Sequence, residues 1–150
     1  MPKVNPAYVT KLFELVNTSP FPNHLCMRIT DMDLDRATIT MDLQPEHLQL
    51  YGIVHGGALA TLIDTATFWA VFMRLPDGAG LVNIDLKLNY LKSVRGGLLT
   101  TQGRCLRAGR SISYAEADVR DADGNLLAHG TSTLKALPGK GLDLELPKFI

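Results

Sequence analysis

The sequence has 150 residues, 46% of them hydrophobic, and its 15 Lys plus Arg balance 15 Asp plus Glu. That length fits one domain, which can bury roughly 68–70% of the surface its unfolded chain exposes and so needs no disulfide staple or structural metal. Zero formal charge argues against broad, non-specific binding of nucleic acid or an anionic membrane surface, and leaves room for local basic clusters.

Ala7 to Val16 places Val9, Leu12, Phe13, Leu15 and Val16 at near-helical spacing. The Asn17-Thr18-Ser19-Pro20 cluster is read as its stop. Leu25 to Met32 and Ala37 to Leu43 read as two short strands joined by a turn at Asp33-Leu34-Asp35-Arg36. Gln44 to Val54 reads as a loop. Gly56 to Met73 is an apolar helix, ended by Pro76-Asp77-Gly78.

Four β-runs follow. In Leu81 to Leu91, Val82, Ile84, Leu86, Leu88 and Tyr90 alternate with Asn83, Asp85, Lys87 and Asn89. Leu98 to Leu106 comes after a Gly96-Gly97 break, and a tight turn at Ala108-Gly109 leads into Ser111 to Arg120. The strong hairpin signal at Asp121 to Asn125 leads into Leu126 to Leu137. The tail from Pro138 is read as irregular.

Period-2 strands joined by short turns become antiparallel neighbours. The one helix apolar enough to cover their inner face is Gly56–Met73. The expected class is therefore α+β, a curved antiparallel sheet wrapped around one long central helix. The expected organisation is an N-terminal helix and loop over 1–24, the sheet-and-helix domain over 25–137, and a tail over 138–150.

The 18 residues from Gly56 to Met73 include 12 apolar ones and no Lys or Arg, which invites a membrane reading. Asp64 near the middle argues against it, since Asp at the centre of a membrane helix costs about 2.5–3.5 kcal/mol. The start of the chain lacks the apolar core of a secretory leader, so a cytoplasmic location is expected. Cys26 and Cys105 are expected to be buried small hydrophobes. His24, His47 and His129 form no metal-ligand spacing with one another or with the cysteines, so no metal and no cofactor are expected.

Two features carry chemistry. Asp64 is the one ionisable side chain in the apolar helix, and such a carboxylate is paired, hydrogen-bonded or functional. Thr61 and Thr65, three residues before it and one after, offer hydroxyls that could pin it. Gly52-Ile53-Val54-His55-Gly56-Gly57 stands at the helix start. There, unpaired N–H groups and the positive end of the macrodipole can bind an oxyanion or polarise a carbonyl. The same glycines also suit a tight loop-to-helix entry.

His55-Gly56-Gly57 is followed by an acid nine residues after the histidine, in an apolar helix ahead of an antiparallel sheet. The stretch from His47 to Asp64 resembles the hotdog-fold thioesterases, most closely the phenylacetate-degradation (PaaI-like) branch. Val82 to Leu91 and Asp123 to Ala128 match less specifically, and the resemblance spans roughly Leu25 to Leu137. It implies an acyl-CoA thioester hydrolase acting as a homodimer or a dimer of dimers (a homotetramer), with sites at the subunit interface. Coenzyme A enters as part of the substrate. Carried over by position, Gly57 N–H polarises the thioester carbonyl, and Asp64 acts as general base on water or as nucleophile.

The resemblance gives Gln49 a role in orienting water or carbonyl and makes His55 a loop anchor. Asn83 stands where the family usually has Ser or Thr. Arg107, Arg110 and Ser111, with Tyr90 and Lys135, match substrate-contacting positions that could meet the anionic coenzyme. Phe68, Trp69 and Phe72 fit core or dimer packing, or an acyl pocket. The rival reading is a non-catalytic acyl-CoA binding or sensing domain on the same fold.

Overall fold

Alternating small and branched residues build the sheet, and a mostly apolar helix packs into it. A computed structural model describes residues 2–150. In chain order it shows α1 (Pro6–Asn17), α2 (Pro20–His24), β1 (Met27–Asp33), β2 (Arg36–Asp42), a 3-10 turn (Pro45–His47), α3 (Gly56–Phe72), β3 (Gly80–Tyr90), β4 (Leu98–Ala108), β5 (Ile112–Arg120) and β6 (Leu126–Leu137). The six strands form one antiparallel sheet in the order β1-β2-β4-β5-β6-β3. The expected α+β architecture, one curved sheet on a central helix, is what the structure shows.

The period-2 pattern does the expected work in β2, which buries Ala37, Ile39 and Met41, and in β5, which buries Ser113, Ala115, Ala117 and Val119. Where α3 lies closest, the sheet carries its smallest residues. A Cβ on Gly103 would sit 2.2 Å from the Ala66 carbonyl oxygen, and one on Gly130 would sit 2.9 Å from Ile63 Cγ2. Helix α3 buries Leu59, Leu62, Ile63, Ala66, Thr67, Ala70 and Val71. These positions follow i, i+3, i+4 spacing and occupy one half of the helix, which packs on the sheet, while Thr61, Asp64, Thr65 and Phe68 on the opposite side are half-buried. No helix among the described residues is long and apolar enough to cross a membrane.

Four local expectations are refined or corrected. The cluster after Asn17 ends α1 as expected, with Thr18 as C-cap, and a second short helix, α2, follows at once with Pro20 and Pro22 in its first turn, where a missing N–H is harmless. The loop over 44–54 holds a 3-10 turn, capped by His47, whose Nδ1 accepts from Gln44 N at 3.1 Å. Cys26 is exposed and Cys105 half-buried, and both are free thiols. Cys26 stands at φ +52° in the link between α2 and β1. The thiol of Cys105 is pushed up to about 11 by burial and the Asp35 carboxylate.

The fourth correction concerns β3. Its register against β6 slips between Asn83 and Asp85, and this bulge turns Ile84 outward while Asn83 faces the helix. The sequence alternation groups Asn83 with Asp85, Lys87 and Asn89, whereas the fold sets it on the helix-facing side with Leu81.

Both ends of the chain join the core. Tyr8, Leu12 and Val16 of α1 and Leu144 of the tail belong to the main apolar cluster. Val4 bridges Phe149, and Lys148 is buried, donating to the Leu75 carbonyl at 3.0 Å over the ring of Phe72.

Candidate active site

The helix start is held by a short chain of hydrogen bonds. His55 is the N-cap of α3, and its Nδ1 accepts from Gly57 N–H at 2.8 Å. That bond fixes the imidazole proton on Nε2 when the ring is neutral. Tyr90 Oη donates to the Gly56 carbonyl at 3.1 Å, and a Cβ on Gly56 would come within 2.9 Å of the Tyr90 ring. Gly56 therefore has to be glycine for tyrosine to lie there. The preceding loop is tied down by His55 N–H to the His47 carbonyl and Val54 N–H to the Val94 carbonyl, both at 2.8 Å. The Gln49 side chain accepts from Tyr51 N–H and so closes its own loop.

The geometry changes which helix-start donor is open. The Gly57 N–H is occupied by His55, and the Ala58 N–H by the His55 carbonyl. The Gly56 N–H donates to nothing among the described residues. It is one of the orphan donors a helix N-terminus leaves, with the macrodipole behind it. No sequence signal points to this arrangement, since histidine is not among the usual N-cap residues.

Asp64 stands two turns further along α3. No hydroxyl pins its carboxylate. Thr61 turns to the Gly57 carbonyl at 2.8 Å, and the side chain of Asp64 accepts no hydrogen bond among the described residues. Its backbone carbonyl accepts from Thr67 Oγ1 at 3.0 Å and from Asn83 Nδ2 at 3.2 Å. Asn83 Nδ2 also lies 2.9 Å from Ser132 Oγ. Asn83, Thr67 and Ser132 thus form a polar seat beneath the acid. Thr67 and Ser132 were not singled out from the sequence, although Ser132 falls on the inward phase of β6.

The carboxylate faces a cavity of about 540 Å³ whose walls include Phe68, Trp69 and Phe72. Burial there holds the Asp64 carboxyl above the usual carboxylate range.

The remaining site residues lie away from the helix start, from the level of Asn83 to beyond the C-terminal end of α3. Lys135 pairs in register with Val82 on one side and Ile112 on the other. The Ser111 carbonyl accepts from Ala136 N at 2.9 Å. Arg107 and Arg110 are exposed at the β4–β5 turn, and neither they nor Lys135 has a carboxylate within 4.0 Å among the described residues. Within one chain the candidate residues thus lie apart. Gln49, His55, Gly56, Gly57 and Tyr90 gather at the helix start, Asn83 lies beneath Asp64 at mid-helix, and Arg110 of the cationic turn lies beside Arg74–Pro76 past the helix end. Gly56 and Asp64 are separated by about 12 Å along the helix axis, and Asn83 and Tyr90 by roughly 23 Å along β3.

An apolar central helix in a six-stranded antiparallel sheet, with a polar glycine-rich helix start and one desolvated acid, defines a hotdog-fold protein of the thioesterase class. The sequence profile of the Thioesterase superfamily matches residues 51–128, just over half of the chain, and the protein belongs to that family.

The structure is similar to that of thioesterase HI1161 from Haemophilus influenzae, with a TM-score of 0.83 and 25% identity, covering 97% of this chain and 100% of that one. An esterase-named protein of Caenorhabditis elegans is 34% identical over 108 residues, covering 70% of this chain and 63% of that protein. The chain thus spans under two thirds of that relative's length. Acyl-coenzyme A thioesterase 13 of Mus musculus is 28% identical over 95 residues, covering 62% of this chain and 67% of that protein. Family and relatives together support thioester hydrolysis as the general activity.

Proposed function

We propose that the protein hydrolyses acyl-CoA thioesters to free acid and coenzyme A, in the manner of the PaaI-like branch, with Asp64 as the acting carboxylate. The observation that carries this reading is the Asp64 side chain, which lies half-buried against an apolar cavity without an intramolecular partner. A structural acid would be paired. In the reaction a C–O bond forms at the carbonyl carbon and the C–S bond breaks. The Gly56 N–H stabilises the oxyanion of the tetrahedral intermediate. Asp64 either removes the attacking water's proton and passes it to the departing thiolate, or attacks the carbonyl itself to give an anhydride that water opens. Arg107, Arg110, Ser111 and Lys135 suit the anionic coenzyme, as cations without acidic partners.

One copy cannot bring Gly56 and Asp64 to the same carbonyl across about 12 Å. Strand β3 suggests how two copies would. It is an 11-residue edge strand that leaves Val82, Ile84 and Tyr90 exposed, a surface that proteins ordinarily cover or pair. Twofold antiparallel pairing of β3 with its copy sets the start of one strand beside the end of the other. The Asp64 group of one protomer then meets the Tyr90–Gly56 group of its partner.

The test is thiol release from a panel of acetyl-, butyryl-, decanoyl-, palmitoyl- and benzoyl-CoA across pH 4–9. Turnover of at least one thioester is expected. Its rate should fall with acid, as the required carboxylate protonates, and the midpoint of that fall should lie above the ordinary carboxylate value of about 4. Binding of these thioesters without thiol release would favour the sensing domain instead.

A further inference from the structure

We propose that the cavity beside Asp64 is the acyl subsite, that it takes an apolar acyl group of medium length, and that its selectivity resides in segments outside the family-matched core. This rests on the thioesterase reading above. The inner wall comes from the matched region, through Phe68, Trp69 and Phe72 of α3 and Leu81 of β3. The opposite wall comes from Leu15 and Val16 of α1, Phe21 and Pro22 of α2, and Leu142 of the tail. All five of those residues lie outside residues 51–128.

Three observations point to the occupant. Asp64 and Thr65 line the cavity, so a thioester whose carbonyl reaches Asp64 has these walls beside its acyl group. A volume of about 540 Å³ lies within the range of small-molecule pockets. It is far more than an acetyl group fills; at about 30 Å³ per water-sized unit, an acyl chain on the order of ten carbons occupies over half of it. The wall is apolar apart from Asp64, Thr65, Ser19 and Lys140, so a polar or branched-polar acyl group would lose water without gaining partners.

The mouth and floor differ in a way that suits a chain inserted from the Asp64 end. Val16, Leu81 and Phe72 are buried, whereas Leu15 is 47%, Phe21 58% and Leu142 43% exposed. Three large apolar side chains, contributed by three separate segments, converge on one opening with no cover from within the chain. An acyl chain lying between them would be desolvated on both sides, with each methylene adding to binding.

Two measurements test the proposal. Trp69, the single tryptophan, lines the cavity. Its emission should shift on titrating the wild-type protein with sodium decanoate, and stay unchanged with sodium acetate or free coenzyme A. In kinetics, kcat/KM should rise at least tenfold from acetyl-CoA to decanoyl-CoA. Leu15→Lys and Phe21→Lys, both at exposed positions, should cut that decanoyl-to-acetyl ratio by about tenfold, mainly through KM for the longer substrate.

A flat chain-length profile, or a ratio unmoved by both variants, would overturn the assignment even if thioesters are hydrolysed. Emission that follows protein dilution instead of decanoate would assign the face to a second copy. A decanoate response without turnover of any thioester would keep the subsite and overturn the catalytic reading.

Discussion

Asp64→Asn is expected to lower kcat by a factor of about 10²–10⁴, the range that loss of a positioned acid–base group gives, and to leave the fold intact. The amide keeps the shape of the carboxyl and removes the proton acceptor. Its effect on stability should run the other way. Burial raises the Asp64 carboxyl above its ordinary value, so the folded state holds its proton more tightly than the unfolded chain does. That contribution favours folding in acid and is lost as pH rises through the folded value. At neutral pH the wild type therefore carries a desolvated charge that the variant lacks. Thermal unfolding should show a melting temperature for Asp64→Asn equal to or higher than that of the wild type at pH 7, with the advantage shrinking towards pH 4. A variant that is both inactive and less stable at pH 7 would mark Asp64 as structural.

Gly103→Val is expected to be the most damaging single change to the scaffold. A Cβ at that position would lie 2.2 Å from the Ala66 carbonyl oxygen and 2.6 Å from its carbon. These are backbone atoms of α3, so no side-chain rotation relieves the clash. Either the helix lifts from the sheet or β4 bends away, and forced overpacking of this kind destabilises by about 3 kcal/mol or more. For a chain of this length that corresponds to a fall in melting temperature on the order of 10 °C. Gly96→Val is the matched control, because a Cβ there meets nothing within 4 Å. Lifting α3 at Ala66 also displaces Asp64, one half-turn earlier, so residual folded Gly103→Val should lose activity too. Equal melting temperatures for the two variants would contradict the described seat of the helix.

The antiparallel strands and the central helix followed from signals that survive in one dimension; the strand order, which sets β3 at the edge beside β6, did not. Ala37, Ile39 and Met41 alternate cleanly because β2 has one buried face. The run from Gly56 is mostly apolar because one half of the helix is buried on the sheet and the other half lines the cavity through Phe68, Trp69 and Phe72. The candidate acid was legible for the same reason, since Asp64 interrupts that run. What was not legible depends on single atoms. The β3 bulge that turns Asn83 toward α3 leaves the apolar count of the strand unchanged. The bond from Gly57 N–H to His55, which leaves Gly56 N–H as the open donor, follows from an imidazole rotamer. The wall that Phe21 and Leu142 add to the cavity joins segments 121 residues apart, which no local pattern connects.

The central claim is that a working site joins the helix start of one protomer to Asp64 of another, and co-expression of two defective chains tests it most directly. Asp64→Asn lacks the acid. Gly56→Val blocks the helix start, since its Cβ meets the Tyr90 ring, while Tyr90 is exposed enough to give way without loss of the fold. Each variant alone should be inactive. In mixed dimers one site receives both defects and the other receives none, so random pairing should restore roughly a quarter of wild-type activity. Recovery at that level is the predicted result, and a co-purified mixture as inactive as either parent would contradict the account.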